Sequence, residues 1–184
     1  MRIISGRWRG LHLADVGTGE PAAHLRPTSD RVREAIFNML INGGYGDPVT
    51  DARVLDLFAG TGALGLEAMS RGAAHVTLVD NGIAARSLIA KNLALTKAEA
   101  LHLRSDATKL PPNTGRACDL IFLDPPYGKG LGELSMTAAI AGNWVAPEAL
   151  IVWEESTKPL PPSGFDQLDQ RRYGDTIVTI LRAP

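Results

Sequence analysis

The sequence predicts an α/β fold: a doubly wound sheet of about seven strands, with an antiparallel hairpin at the C-terminal end and a small N-terminal β arm. Three observations carry this. From residue 52 onward, apolar runs of strand length alternate with stretches of helical length, the pattern of a mostly parallel sheet covered on both faces. The run Cys118-Asp119-Leu120-Ile121-Phe122-Leu123-Asp124 is almost continuously apolar, as a central strand requires. Near the end, Arg171-Arg172-Tyr173-Gly174-Asp175 interrupts two strand-like runs and reads as a turn.

Taken in order, residues 1–13 show short apolar alternations broken by Gly6 and Gly10, which suggests a small hairpin or arm. Residues 14–27 are rich in Gly and Pro and read as a loop. A helix is expected after Pro27, capped by Thr28 or Ser29, with Val32, Ile36, Met39 and Leu40 as its apolar stripe. The stretch from Asn42 to Pro48 ends it. Strands are expected over 52–58, 75–80, 101–104, 118–124 and 149–154, and helices after the first strand through about Arg71, over 82–96, and around 134–144. Residues 1–27 thus form an arm and loop, and residues 28–184 one main domain.

The 184 residues suit a single domain, and 45% hydrophobic residues supply a sizeable core. No run approaches the ~20 apolar residues that span a bilayer, and the opening residues do not resemble a signal peptide. The single cysteine, Cys118, excludes a disulfide framework and a cysteine-rich metal site, and its apolar setting marks it as an inert thiol. A cytoplasmic protein with no membrane partner and no metal is expected. The formal charge of −1 is no footprint of a nucleic-acid binder. Its distribution is uneven, however. Residues 1–33 hold six arginines (Arg2, Arg7, Arg9, Arg26, Arg31, Arg33) against three acids, Asp15, Glu20 and Asp30.

In a doubly wound sheet, ligands bind at the carboxyl ends of the strands. The first strand ends in Asp56-Leu57-Phe58-Ala59-Gly60-Thr61-Gly62-Ala63-Leu64-Gly65, a glycine-rich turn that can bring backbone close to a ligand. It lacks the Gly-Lys-Ser/Thr of a P-loop, although Gly60-x-Gly62-x-x-Gly65 satisfies the dinucleotide spacing. That reading leaves Asp56 unexplained. Its carboxylate can hold the loop by its amides and approach a cationic ligand. Asp80 ends the second strand and can accept ribose hydroxyls, or cap the next helix. Asp106 follows the third, and can receive an adenine amino group or serve only a turn.

The fourth strand ends in Asp124-Pro125-Pro126-Tyr127. Hydride transfer has no use for this tetrapeptide, whereas methylation of an exocyclic base amine does. The lone pair of such an amine is delocalised into the ring. The Asp124 carboxylate and the Pro125 carbonyl, accepting its two N–H groups, can draw the nitrogen toward tetrahedral geometry. Consecutive prolines fix the backbone, and Tyr127 offers a ring on which a flipped base can stack.

These residues resemble class I S-adenosylmethionine-dependent methyltransferases, with Asp124 to Tyr127 matching the (D/N)PP(Y/F) motif of amino-methyltransferases. The chain is similar over nearly its whole length to the RsmD family, which methylates N2 of a guanine in 16S ribosomal RNA. Arg2 to Gly10, Leu25 to Glu34, Val54 to Gly72 and Tyr173 to Thr176 carry the likeness; the second of these is the most distinctive. The resemblance implies a Rossmann-like methyltransferase domain over 28–184. Thr28, Arg31, Asp56, Phe58, Ala59, Gly60, Gly62, Asp80, Asn81, Asp106, Ala107 and Asp124 would meet S-adenosylmethionine or its product S-adenosylhomocysteine. Asp124, Pro125, Pro126 and Tyr127 would act on the base, and Arg2, Arg7, Trp8, Arg9 and Arg26 would bind RNA. The expected partner is 16S rRNA within the small ribosomal subunit, met by a monomer. Departures are small: Asp80 replaces a usual Glu, Tyr127 a common Phe and Ser5 a frequent Gly.

Three rivals are weaker. DNA adenine-N6 methyltransferases share DPPY, but this chain has no room for a large target-recognition domain. Protein-glutamine methyltransferases usually begin the motif with Asn. A non-catalytic RNA-binding assembly factor would be free to lose Asp56, Asp80 and the DPPY set.

Overall fold

The computed structural model describes residues 1–15 and 29–184. One seven-stranded sheet has the order β3-β2-β1-β4-β5-β7-β6. Its strands are β1 (Arg53–Leu57), β2 (His75–Val79), β3 (Leu101–Leu103), β4 (Cys118–Leu123), β5 (Val145–Glu155), β6 (Asp166–Tyr173) and β7 (Thr176–Arg182). The first five run parallel, and β7 joins β5 antiparallel and turns back into β6. The order reverses between β1 and β4, so their carboxyl ends flank a crevice.

The helices are α1 (Asp30–Asn42), α2 (Ala63–Ser70), α3 (Ile83–Thr96) and α4 (Leu131–Ala141). Side chains from α1, α2 and α3 join one core with Val54, Leu78, Leu120, Phe122 and Val152. Met136 and Ala139 of α4 join the other, with Leu55, Leu57, Ile121, Leu123 and Trp153. Alternate residues of β4 therefore point to opposite cores, and this central strand is apolar on both faces. Phe37 of α1 packs on Phe122 of β4, with ring centroids 5.6 Å apart, which fixes α1 over the centre of the sheet.

Ser29 caps α1 by accepting from the Val32 amide, which selects one of the two expected caps. The stripe of α1 is wider than expected: Phe37 and, unexpectedly for a charged residue, Arg33 are fully buried. Helix α4 starts three residues earlier than its apolar residues suggested, because Gly130, at φ 64, turns the chain into it. Strand β5 starts at Val145, four residues early, and its pairing with β4 shifts register before Leu150. Cys118 is buried, and burial pushes its thiol up to about 11.

Residues 1–15 lie against α2 and α3. The expected hairpin is reduced to a single antiparallel bridge, Arg2 to His12, because Gly6–Trp8 forms a 3-10 turn. Glu67, fully buried on α2, accepts from the Ile4 amide at 2.7 Å and the Ser5 amide at 3.0 Å, while Arg71 completes its coordination. Buried Asn92 of α3 holds Ala14 through both its amide and its carbonyl, and donates to the Thr61 carbonyl. Arg26, Thr28 and the other residues of 16–28 lie outside the described residues. Among the described residues no helix is long and apolar enough to cross a membrane.

Candidate active site

The turn after β1 is held by its two expected carboxylates. Asp56, 2% exposed, accepts from the Gly65 amide at 2.9 Å, so it fixes the first turn of α2 from inside the sheet. Asp80 accepts from the Gly60 amide at 2.9 Å and from the Gly82 amide at 2.7 Å. It therefore braces the glycine turn and the entry to α3 together. Each carboxylate oxygen has a second lone pair, so two ribose hydroxyls can still be accommodated. Gly65 is required by close approach: a Cβ there would stand 2.5 Å from Leu78 Cδ2. Phe58 occupies the left-handed region at φ 61, a strained conformation for a bulky residue that concentrates at functional sites.

Asp106 accepts from the amide and hydroxyl of Thr108, and these bonds hold its carboxyl below the usual carboxylate range. It thus makes the turn that its position also suggested. Ala107 is buried in the second core, whereas Asn81 is exposed. Arg31 is exposed on the first turn of α1.

The DPPY segment leaves β4 beside this turn, with the Asp124 amide 3.5 Å from the Leu57 carbonyl. Asp124, Pro126 and Tyr127 are half-buried and Pro125 is buried. The Tyr127 hydroxyl lies 3.1 Å from that of Thr176, at the start of β7. Electrostatics tie the parts together. Burial above all pushes Asp56 up to about 7, with further upward contributions from Asp124 and Asp80, against the Gly65 hydrogen bond. Three carboxylates thus converge on one crevice, which suits a ligand carrying a sulfonium and an ammonium.

Of the arm residues, Arg7 stacks over the Trp8 ring at 3.9 Å, and Arg2 lies 3.7 Å from Asp30. Arg9 is exposed. Sequence reasoning missed Glu155, whose carboxylate accepts from the Gly128 amide at 2.6 Å, just beyond Tyr127. It also missed Thr176, Glu67 and Asn92. Glu155 stands at the carboxyl end of a strand, the one position that could have drawn attention to it.

The family model described as Conserved hypothetical protein 95 matches residues 1–182. The chain belongs to this family. It is the RsmD family to which the motifs are similar. Ribosomal RNA small subunit methyltransferase D of Escherichia coli K12 is 41% identical over 99% of this chain and 89% of its own. Putative rRNA methyltransferase YlbH of Bacillus subtilis 168 is 37% identical, covering 99% and 98%. Among solved structures, the putative methyltransferase yhhF of E. coli superposes with a TM-score of 0.83 at 38% identity, covering 100% of this chain and 97% of that one. The fold alone is shared with the T. thermophilus 16S rRNA N2 G1207 methyltransferase RsmC, in complex with AdoMet and guanosine. There the TM-score is 0.62 at 23% identity, over 89% of this chain and 45% of that one.

Proposed function

We propose that the protein transfers a methyl group from S-adenosylmethionine to the N2 amine of a guanine in 16S rRNA, within the small ribosomal subunit. It acts as a monomer in the cytoplasm. The observation that carries this is the placement of Asp124-Pro125-Pro126-Tyr127 against a glycine turn braced by Asp56 and Asp80, in a chain of this family.

The cofactor supplies an electrophilic methyl whose departure leaves a neutral sulfide, so no protein nucleophile is called for. The chain's own residues do the positioning. Phe58, Ala59, Gly60 and Gly62 would line the cofactor with backbone, Asp80 and Asn81 would hold its ribose, and Asp106 and Ala107 its adenine. Asp56 would face its ammonium and Arg31 would close the site from the α1 side; Thr28, the other contact expected there, lies outside the described residues. The Asp124 carboxylate and Pro125 carbonyl accept the two N2 protons and aim the nitrogen lone pair. Pro126 stiffens the segment, and Tyr127, anchored by Thr176, stacks on the base. As N2 gains the methyl carbon it sheds one proton, which Asp124 is placed to accept. Arg2, Arg7, Trp8, Arg9 and Arg26 hold RNA.

The test is transfer of labelled methyl from S-adenosylmethionine to small subunits lacking the modification, with naked 16S RNA, DNA and protein alongside, followed by nucleoside analysis. Label in N2-methylguanosine is the expected outcome. Label in adenine or in DNA sinks the guanine assignment. Cofactor binding with no label in any substrate sinks the enzymatic reading.

A further inference from the structure

The DPPY segment explains how an amine is held, but not why the base should be guanine, since an adenine N6 amine presents the same two protons. Guanine differs at the neighbouring ring position: its N1 carries a proton, where adenine N1 is an acceptor. A guanine-specific site therefore has use for a third acceptor beside the two that hold the amine.

One candidate stands next to the segment. Glu155 ends β5 with only 9% of its surface exposed. Its Oε1 accepts from the Gly128 amide at 2.6 Å and lies 3.5 Å from the Ser156 hydroxyl. Its Oε2 is buried and has no hydrogen-bond partner. In β5 and β7, Glu155 pairs with Ile177, the neighbour of the Thr176 that holds Tyr127. The loop after β4 is thus tied at two consecutive residues to the same corner of the sheet, and the unmatched oxygen lies at that corner. A buried carboxylate oxygen without a donor costs free energy, and a native protein retains one where something else supplies the donor. Gly128 and Gly130, both in the left-handed region, would meet nothing within 4 Å with an added Cβ, so neither is pinned on that side by a neighbouring group.

We infer that Glu155 is a specificity-determining residue: Oε1 positions the catalytic loop through Gly128, and Oε2 accepts the N1 proton of the target guanine when the base enters and the loop tip shifts. With Asp124 and Pro125 on the amine, three acceptors then meet the three donors of the guanine edge. Adenine would bring its N1 lone pair against a carboxylate. The inference rests on the guanine-N2 reading above.

The test pairs one variant with one analogue. Glu155→Gln keeps a carbonyl oxygen for Gly128 but replaces the second acceptor with a donor. 2-Aminopurine keeps the 2-amine but has an unprotonated N1. Small subunits reconstituted with guanine or 2-aminopurine at the methylated position are assayed for kcat/KM, with cofactor affinity and thermal unfolding as controls. Wild type is expected to favour guanine by about 100-fold. Glu155→Gln is expected to lose about that factor on guanine and almost none on 2-aminopurine, so its preference collapses while cofactor affinity holds. Undiminished guanine activity in Glu155→Gln, or an unchanged preference, overturns the inference and leaves Glu155 a loop anchor. Equal wild-type rates on the two bases overturn it without any variant. Failure of wild type to methylate guanine N2 overturns the underlying reading instead, and this inference with it.

Discussion

Strand β4 is bracketed by two aspartates, Asp119 near its start and Asp124 just past its end, and the two ends of the sheet they mark keep their charge differently. At the amino end, Asp47, Asp51, Asp119 and Glu148 rim an open groove of about 460 Å³ together with Tyr45 and Arg182. All four acids are exposed. Those with described partners are engaged: Asp119 accepts from the Arg53 amide, Glu148 lies 3.8 Å from Arg182, and the Thr50 and Val49 groups hold the Asp47 carboxyl below the usual range. At the carboxyl end, Asp56 is buried and pushed up to about 7, beside Asp80 and Asp124. Both ends are acidic, but the acids of the groove are exposed, whereas Asp56 is buried and Asp80 and Asp124 are half-buried. Desolvated carboxylates gathered at strand ends are the stronger mark of a site.

The comparison breaks most sharply on the bracketing pair itself. On the proposed mechanism, Asp124→Ala removes one of two acceptors on the reacting amine, and turnover should fall by about 1000-fold. Cofactor affinity, measured by calorimetry, should stay within a few fold. Asp119→Ala should leave kcat and KM where they are. Full turnover in Asp124→Ala would contradict the mechanism, and a comparable loss in Asp119→Ala would erase the distinction between the ends.

Strand β1 offers a second pair. Asp51 before it and Phe58 after it both stand in the left-handed region, at φ 59 and φ 61. Aspartate tolerates that conformation, whereas phenylalanine adopts it at a cost, set against the packing of its ring on the second core. Phe58→Gly should relieve the backbone strain but lose the packing on the second core, unfolding at a lower temperature than wild type and binding S-adenosylmethionine about 10-fold more weakly. Asp51→Gly should change neither quantity appreciably. Unaltered cofactor affinity in Phe58→Gly would remove Phe58 from the site.

How much of this was legible follows from what each feature depends on. The sheet was readable because its signals are local: an apolar run for β4, a glycine turn after β1, Ser29 ahead of α1. Asp56, Asp80 and Asp124 were readable because a doubly wound sheet puts strand ends in one place. Illegible were the residues whose partners lie far along the chain. Glu67 and Asn92 occupy helix-interior positions that suit solvent, and only the docked arm, 62 to 78 residues away, explains their burial. Arg33 reads as one more basic residue of the N-terminal region, yet it is buried with its guanidinium on the Arg2 carbonyl and on Asp30. Glu155 was hidden because its loop partner is 27 residues distant and its chemistry depends on an orphan oxygen that no spacing encodes.

The smallest effect sharpens the comparison through pH. The folded-state pKa of Asp56, about 7, lies above the ordinary carboxylate value, chiefly through burial. Between pH ~4 and 7 the folded protein therefore holds a proton that the unfolded chain has released. Its contribution to stability is complete at low pH and is lost as pH rises through 7. On the proposed placement, a cofactor ammonium next to Asp56 would favour the ionised form, so cofactor binding below pH 7 would expel that proton. Affinity for S-adenosylmethionine should then rise a few fold between pH 6 and 8, with proton release in the calorimeter at the lower pH. Asp56→Asn can still accept from the Gly65 amide but cannot titrate, and it should flatten both the affinity profile and the proton release. Asp47, whose carboxyl is held below the usual range at the other end of the sheet, stays ionised throughout this window and contributes nothing to either. A rise in affinity with pH that survives in Asp56→Asn would assign the titration to another group and detach Asp56 from it.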